Sequence, residues 1–264
     1  MTRRYQVQDG ALIDYGVEQF HGEWFRSPIE PGPDSIAWIG AAQTFGRFTT
    51  RPFAQVVGQR LQLGTLNLGS GGKGPAYFLK HPDLLEEVNR CRVAVVQVMS
   101  ARGSDNSMFR TKNGGAVGFR TDTGERTRSI NVFREPIEQG KLRQARRLVE
   151  ESQRSYVQEM HQLFDAIRIP TLLFYISFQD PPRMALNIRG KLNEVFPHFV
   201  TAQVLKEIKP RATAFSSLVS REGIPQRLTD DNGQVVKTNV YYPSPEMHDL
   251  AADQLTPMIK SLLG

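Results

Sequence analysis

The chain has 264 residues, 39% of them hydrophobic and 23% charged, with a formal net charge of +6. That length and balance fit one globular α/β domain. No apolar run approaches the roughly 18–20 residues needed to cross a bilayer. The opening MTRRYQVQDG lacks the apolar segment of a secretory signal, and the single Cys91 excludes an internal disulfide or a cysteine-rich zinc site. The cytoplasm is the expected compartment.

Taken in chain order, residues 1–34 form an N-terminal extension with no strong pattern. The first strand candidate is SIAWIG (35–40), followed by a helix candidate RPFAQVVGQRLQL with Pro52 in its first turn. A second strand candidate, GTLNLG (64–69), leads to the helix candidate HPDLLEEVNRC, opened by Pro82. RVAVVQVM (92–99) is the third strand, and a basic loop insert from 101 to 136 follows it. A long amphipathic helix is expected over 138–167, with Leu142, Ala145, Leu148, Val149, Ser152, Tyr156, Met160, Leu163 and Phe164 on one face. PTLLFYIS (170–177) and ATAFSSLVS (212–220) complete the strands, and shorter helices are expected around 200–208 and 246–262.

Each strand candidate is a short apolar run bounded by Gly, Pro or Ser, as strands buried on both faces require. Their alternation with helices predicts a three-layer α/β/α sandwich, flavodoxin-like, with a five-stranded mainly parallel sheet and right-handed crossovers. Residues 1–264 then make a single domain. Ligands of such sheets bind beyond the carboxyl ends of the strands, so the loops starting at Gly40, Gly69, Ser100, Ser177 and Arg221 hold the expected site.

The charge is concentrated. From Arg102 to Arg147 there are 11 Lys or Arg and 5 Asp or Glu, a surplus of six that equals the charge of the whole chain. A positive field suits an anionic small molecule or glycan, while a solvated basic surface is the plainer reading. Aromatic residues do not interleave with the charges as base stacking demands, so no nucleic-acid partner is expected. The five histidines show no HxH or HExxH spacing, and no metal site is expected.

Three loops resemble the SGNH, or GDSL-type, hydrolase superfamily. Gly40-Ala41-Ala42-Gln43-Thr44-Phe45-Gly46 is similar to its Gly-Asp-Ser-x-Thr-x-Gly motif, and Asn67-Leu68-Gly69-Ser70-Gly71-Gly72 to Asn-x-Gly-x-x-Gly. NVYYPSPEMHDLAADQL is similar to the closing Asp-x-x-His-Pro motif, with Asn239 at the acid's place and Tyr242 at the histidine's. The chain also resembles a bacterial family sharing AAQTFGRF, NLGSGGKGP and YYPSPEMH, which implies the same scaffold and brings no established activity. The departures carry the consequence. Alanine cannot attack a carbonyl, and a tyrosine with a pKa near 10 is a poor base at neutral pH.

The resemblance thus implies an SGNH-like scaffold stripped of its Ser-Asp-His triad. The glycine-rich turn, with Ser70, Gly71, Gly72 and Lys73, offers backbone N–H groups to an anion, or is simply a tight strand-to-helix turn. Arg102 takes the place of the family's oxyanion asparagine, with Asn106 as a gapped candidate and Asp105 as a support for the guanidinium. His248 is the histidine nearest the last motif and the candidate base. Gln43, Thr44 and Ser100 complete the expected ligand contacts. The run NVFREPIEQG is similar to the Arg-x-Pro neighbourhood of sulfotransferases. These pieces point to a group-transfer enzyme, moving a sulfuryl group by preference onto a hydroxyl of a glycan or small metabolite. Its donor would be a nucleotide sulfate such as 3′-phosphoadenosine-5′-phosphosulfate. A non-catalytic binding protein, and an ester hydrolase with a displaced serine at Ser70 or Ser100, are the alternatives.

Overall fold

The structure is a computed structural model that describes residues 2–187 and 190–264. The N-terminal extension comprises α1 (Thr2–Asp9) and a hairpin of β1 (Val17–Phe20) and β2 (Glu23–Arg26). The first core strand β3 (Ser35–Ile39) runs into a short helix α2 (Ala42–Phe45), then α3 (Phe53–Leu61) and β4 (Gly64–Asn67). α4 (Pro75–Leu79) and α5 (Pro82–Asn89) lead to β5 (Val93–Gln97). The expected loop over 101–136 contains three short antiparallel strands, β6 (Phe109–Thr111), β7 (Val117–Arg120) and β8 (Arg126–Arg128). They feed α6 (Ser129–Glu138).

The long helix α7 spans Leu142–Ala166, starting four residues later than the periodicity suggests. Gly140, at φ +71°, separates it from α6. β9 (Thr171–Ser177), α8 (Ala202–Ile208) and β10 (Ala214–Val219) follow. A second hairpin of β11 (Gln226–Thr229) and β12 (Val235–Asn239) precedes the closing helix α9 (Pro245–Leu263).

The core sheet has the order β10-β9-β5-β3-β4, with every neighbouring pair parallel. Alternating side chains divide its two faces. Ile36, Trp38, Val93, Val95, Leu172 and Phe174 pack on α3 and α9. Ala37, Ile39, Ala94, Val96, Leu173 and Tyr175 pack with Leu84 of α5, Leu148 and Leu163 of α7, and Val204 of α8. Both faces are therefore dry, which is why the strands read as unbroken apolar runs. Among the described residues no helix is long and apolar enough to cross a membrane.

Numbered along the core alone, the strand order is 2-1-3-4-5. The chain leaves β3 for β4 on one side and later returns to β5 on the other. A crevice opens at such a switch point, between the loops after β3 and β5.

Candidate functional site

A cleft of about 450 Å³ occupies that switch point. Ala41, Ala42 and Gln43 from the β3 loop, Gly72–Gly74 from the β4 loop, and Ser100, Arg102 and Gly103 from the β5 loop form its floor. Phe196 and His198 enter from the segment after β9, Tyr241 and Tyr242 from the loop after β12, and Arg4, Tyr5 and Gln8 from α1. Gly115–Val117 and Arg128–Ile130 of the insert close the remaining wall.

The first two loops are fastened to each other beneath this floor. Gln97 at the end of β5 accepts through Oε1 from the Ala41 N–H at 2.9 Å and the Thr44 hydroxyl at 2.6 Å. Asn67 donates to the Thr44 carbonyl and accepts from the Gly69 N–H, both at 3.0 Å. A Cβ on Gly69 would strike the Phe45 backbone nitrogen, so this glycine serves the close approach of two loops. Thr44 is thus a buried structural link and does not line the cleft.

Of the residues singled out in the sequence, Gln43, Gly72, Lys73, Ser100 and Arg102 meet in the cleft. Gly71 lies in an adjoining cavity. The others are placed elsewhere. Ser70 is buried, with its hydroxyl 3.3 Å from that of Thr2. Asp105 pairs with Arg110 at 3.2 Å and accepts from the Thr111 N–H at 2.7 Å, so it does not support Arg102. Asn106 donates to Ser152 at 3.0 Å and accepts from the Met108 N–H at 2.9 Å, pinning the insert to α7 rather than facing a ligand.

His248 requires the largest correction. It is fully buried in the first turn of α9, stacked on Phe53 with ring centroids 5.2 Å apart. Its Nδ1 accepts from the Phe53 N–H at 3.2 Å, and its Nε2 has no hydrogen-bond partner among the described residues. Burial, with Arg26 nearby, pulls its pKa down to about 3. A helix-to-helix packing role explains this position, and the expected place at the rim is not where it lies.

The histidine in the cleft is His198. Its Nδ1 lies 3.1 Å from the Ser100 Oγ and its Nε2 lies 3.2 Å from the Tyr241 hydroxyl, onto which its ring stacks. The Ser100 hydroxyl has a second acceptor, the His198 carbonyl, at 3.4 Å. Burial first, and then the Arg102 cation, push the His198 pKa down to about 3, so the ring is neutral. In the tautomer with the proton on Nε2, the ring donates to Tyr241 and Nδ1 accepts from Ser100.

Among the described residues five cations reach the cleft, Arg4, Arg47, Lys73, Arg102 and Arg128, and no carboxylate lines it. Two of the five are engaged. Arg47 is bound by Asp9 at 2.7 Å and donates to the Tyr242 hydroxyl at 3.1 Å. Lys73 sits 3.9 Å from the centroid of the Tyr77 ring, and burial lowers its pKa. Burial likewise lowers the pKa of Arg102, which forms no ion pair among the described residues. Asn239 and Tyr242, which the sequence resemblance set at the places of an acid and a histidine, form a turn: Asn239 accepts from the Tyr241 and Tyr242 N–H groups at 3.0 and 2.9 Å. Among the described residues no group of three or more His, Cys, Asp or Glu is placed to hold a metal.

The family described as "Domain of unknown function (DUF6473)" matches residues 4–113. No curated protein matches the chain significantly. Among solved structures, the chain is similar to a putative acylhydrolase from Bacteroides fragilis, with 13% identity, 99% of this chain and 97% of that one covered, and a TM-score of 0.46. It is also similar to a GDSL-like lipase from Bacteroides thetaiotaomicron, at 11% identity, 98% and 97% coverage and a TM-score of 0.44. A third is a carbohydrate esterase family 2 enzyme with a carbohydrate-binding domain from Corynascus thermopiles (Myceliophthora fergusii), at 12% identity, 93% and 71% coverage and a TM-score of 0.42.

Proposed function

We propose that this protein is a serine-dependent ester hydrolase in which Ser100 is the attacking residue and Ala42 marks a vacated position. The observation that carries the reading is the 3.1 Å contact between Ser100 Oγ and His198 Nδ1 inside the cleft. A neutral imidazole within hydrogen-bond reach of a hydroxyl is the minimum for nucleophilic acyl transfer. As Oγ bonds to the acyl carbon, its proton passes to Nδ1. The same proton then leaves with the departing alcohol. A water molecule repeats the sequence, giving its proton to Nδ1 and releasing the acid as Ser100 recovers its hydrogen. The Arg102 guanidinium, at the site of the family's oxyanion asparagine, serves the negative oxygen of the intermediate.

The dyad has a built-in handicap. No carboxylate orients His198, and Arg102 opposes the imidazolium that forms during attack. Turnover is therefore expected to be slow on neutral esters. Labelling by a fluorophosphonate probe tests the reading: it should modify Ser100, and Ser100→Ala should abolish labelling and cut turnover on short acyl esters by about a thousandfold or more. Labelling of a different serine, or undiminished turnover in Ser100→Ala, overturns it.

A second reading, sulfuryl transfer from a nucleotide donor, draws support from the unpaired Arg102. It loses His248 as its base, because that side chain is in the core. His198 would have to accept the proton of the acceptor hydroxyl instead.

A further inference from the structure

The cleft does not end at the insert. A second cavity of about 360 Å³ shares with it the wall made by Arg4, Gly72, Lys73 and Gly115–Val117. Lys112, just after β6, and Arg126 of β8 line this outer cavity, and among the described residues no carboxylate lines it either. Each cavity is of the size that small-molecule sites have. Together they make a trough running from the switch point of the sheet out along the insert.

Eight of the eleven cations between Arg102 and Arg147 fall into two sets. Arg110, Arg120, Arg134 and Arg147 are each paired with a carboxylate: Asp105, both Asp122 and Glu135, Glu194, and Glu151 respectively. Arg102, Arg126, Arg128 and Lys112, together with Arg4 of α1, line the trough, and none of them has an ion pair among the described residues. Like charges gathered along one groove repel one another unless something negative lies between them. Most of the basic residues of this stretch are thus divided between a neutralised outer surface and a positive groove, while Lys141, Arg143 and Arg146 belong to neither.

We propose that the trough binds an acidic oligosaccharide, with one anionic sugar in the switch-point cleft and the next against Lys112 and Arg126. Cations without an ion pair in each of two joined cavities favour a ligand with more than one anionic group. The rings of Tyr5, Tyr241 and Tyr242 flank the inner cavity only, and the outer one has no aromatic side chain for base stacking, which disfavours a nucleic acid. In the hydrolase reading, on which this deepening rests, an ester carried by such a sugar lies beside Ser100, and its own anion offsets the charge of Arg102.

Calorimetric titration of the full chain with a sulfated glycosaminoglycan tetrasaccharide tests the idea. The same experiment takes three comparisons: the desulfated, reduced tetrasaccharide, a sulfated monosaccharide, and a single-stranded DNA tetramer. The sulfated tetrasaccharide should bind most tightly, with affinity falling as salt is raised. The double variant Lys112→Ala/Arg126→Ala should lower its affinity about tenfold, within what two exposed charge contacts supply, and leave the monosaccharide unchanged. Ester turnover of the same preparations is read separately from binding, so failure of the hydrolase reading is separable from failure of this one. Equal affinity for the desulfated tetrasaccharide, tighter binding of the DNA tetramer, or no loss in the double variant overturns the proposal.

Discussion

Replacing Asp9 by Asn should loosen the wall of the cleft and the fold together. The Asp9 carboxylate is completely buried and receives four donors. Arg47 Nε reaches Oδ2 at 2.7 Å and Arg47 NH2 reaches Oδ1 at 3.1 Å. Lys237 Nζ reaches Oδ1 at 2.8 Å and the Tyr15 hydroxyl reaches Oδ2 at 3.3 Å. Asparagine keeps the shape but turns one acceptor oxygen into a donor and removes the charge. Lys237, with 38% of its side chain exposed, can turn to water at little cost. Arg47, at 12%, cannot. Breaking a buried pair by removing one partner costs ~3–5 kcal/mol. For a domain of this size each kcal/mol moves the melting temperature by about 2–4 °C, so a fall of roughly 6–20 °C is expected. Urea and thermal unfolding followed by far-UV circular dichroism would measure it. A loss below about 1 kcal/mol would show that the cluster behaves as a surface ion pair and refute the reasoning. Burial works against the charged form of Asp9, but the hydrogen bonds from Arg47 and Lys237 outweigh it and hold the pKa below the usual carboxylate range. Its stabilisation is present above the unfolded-chain pKa and is lost as pH falls through the lower folded value.

Two further outcomes follow from titrating groups. If His198 is the base, turnover should stay flat from pH 7 down to about 4.5, because the ring gains a proton only near its pKa of about 3; a half-maximal rate near pH 6.5 in a pH–rate profile would contradict this. Glu159 accepts from the Ser104 hydroxyl at 2.7 Å, and burial lifts its pKa to about 7. A carboxyl raised in the folded state stabilises fully below its unfolded pKa and loses that contribution as pH rises through the folded value. Glu159→Gln should therefore raise the urea midpoint at pH 8 and leave it nearly unchanged at pH 4, and equal effects at both would refute the assignment.

The core was legible because each strand is an apolar run hemmed by turn residues. SIAWIG, and PTLLFYIS from Thr171 onward, are buried throughout, and their observed bounds differ from the expected ones by a single residue. The insert was not legible. VGFR and RTR are short and charged, with no period-two alternation to separate strand from loop. β11 and β12 escaped for the same reason.

In the site, spacing located the loops but not the side chains that matter. Ser100 and Arg102 follow directly from the end of β5, whereas His198 arrives from an irregular segment after β9 that no motif marks. The only hint was a histidine set among aromatic residues in VFPHFV. His248 was chosen for its nearness to a motif. What sequence distance could not reveal is that the first turn of α9 faces Phe53 in the interior.

The tie between Asp9 and Lys237 also sets an order of events during synthesis. The amino-terminal helix that walls the cleft is made first, yet the lysine that helps clamp it emerges 228 residues later. The last strand of the central sheet, β10, ends only 18 residues before that lysine. The last residues to line the groove, Tyr241 and Tyr242, come later in the chain than every strand of the core sheet, so the sheet can form while that wall is still missing.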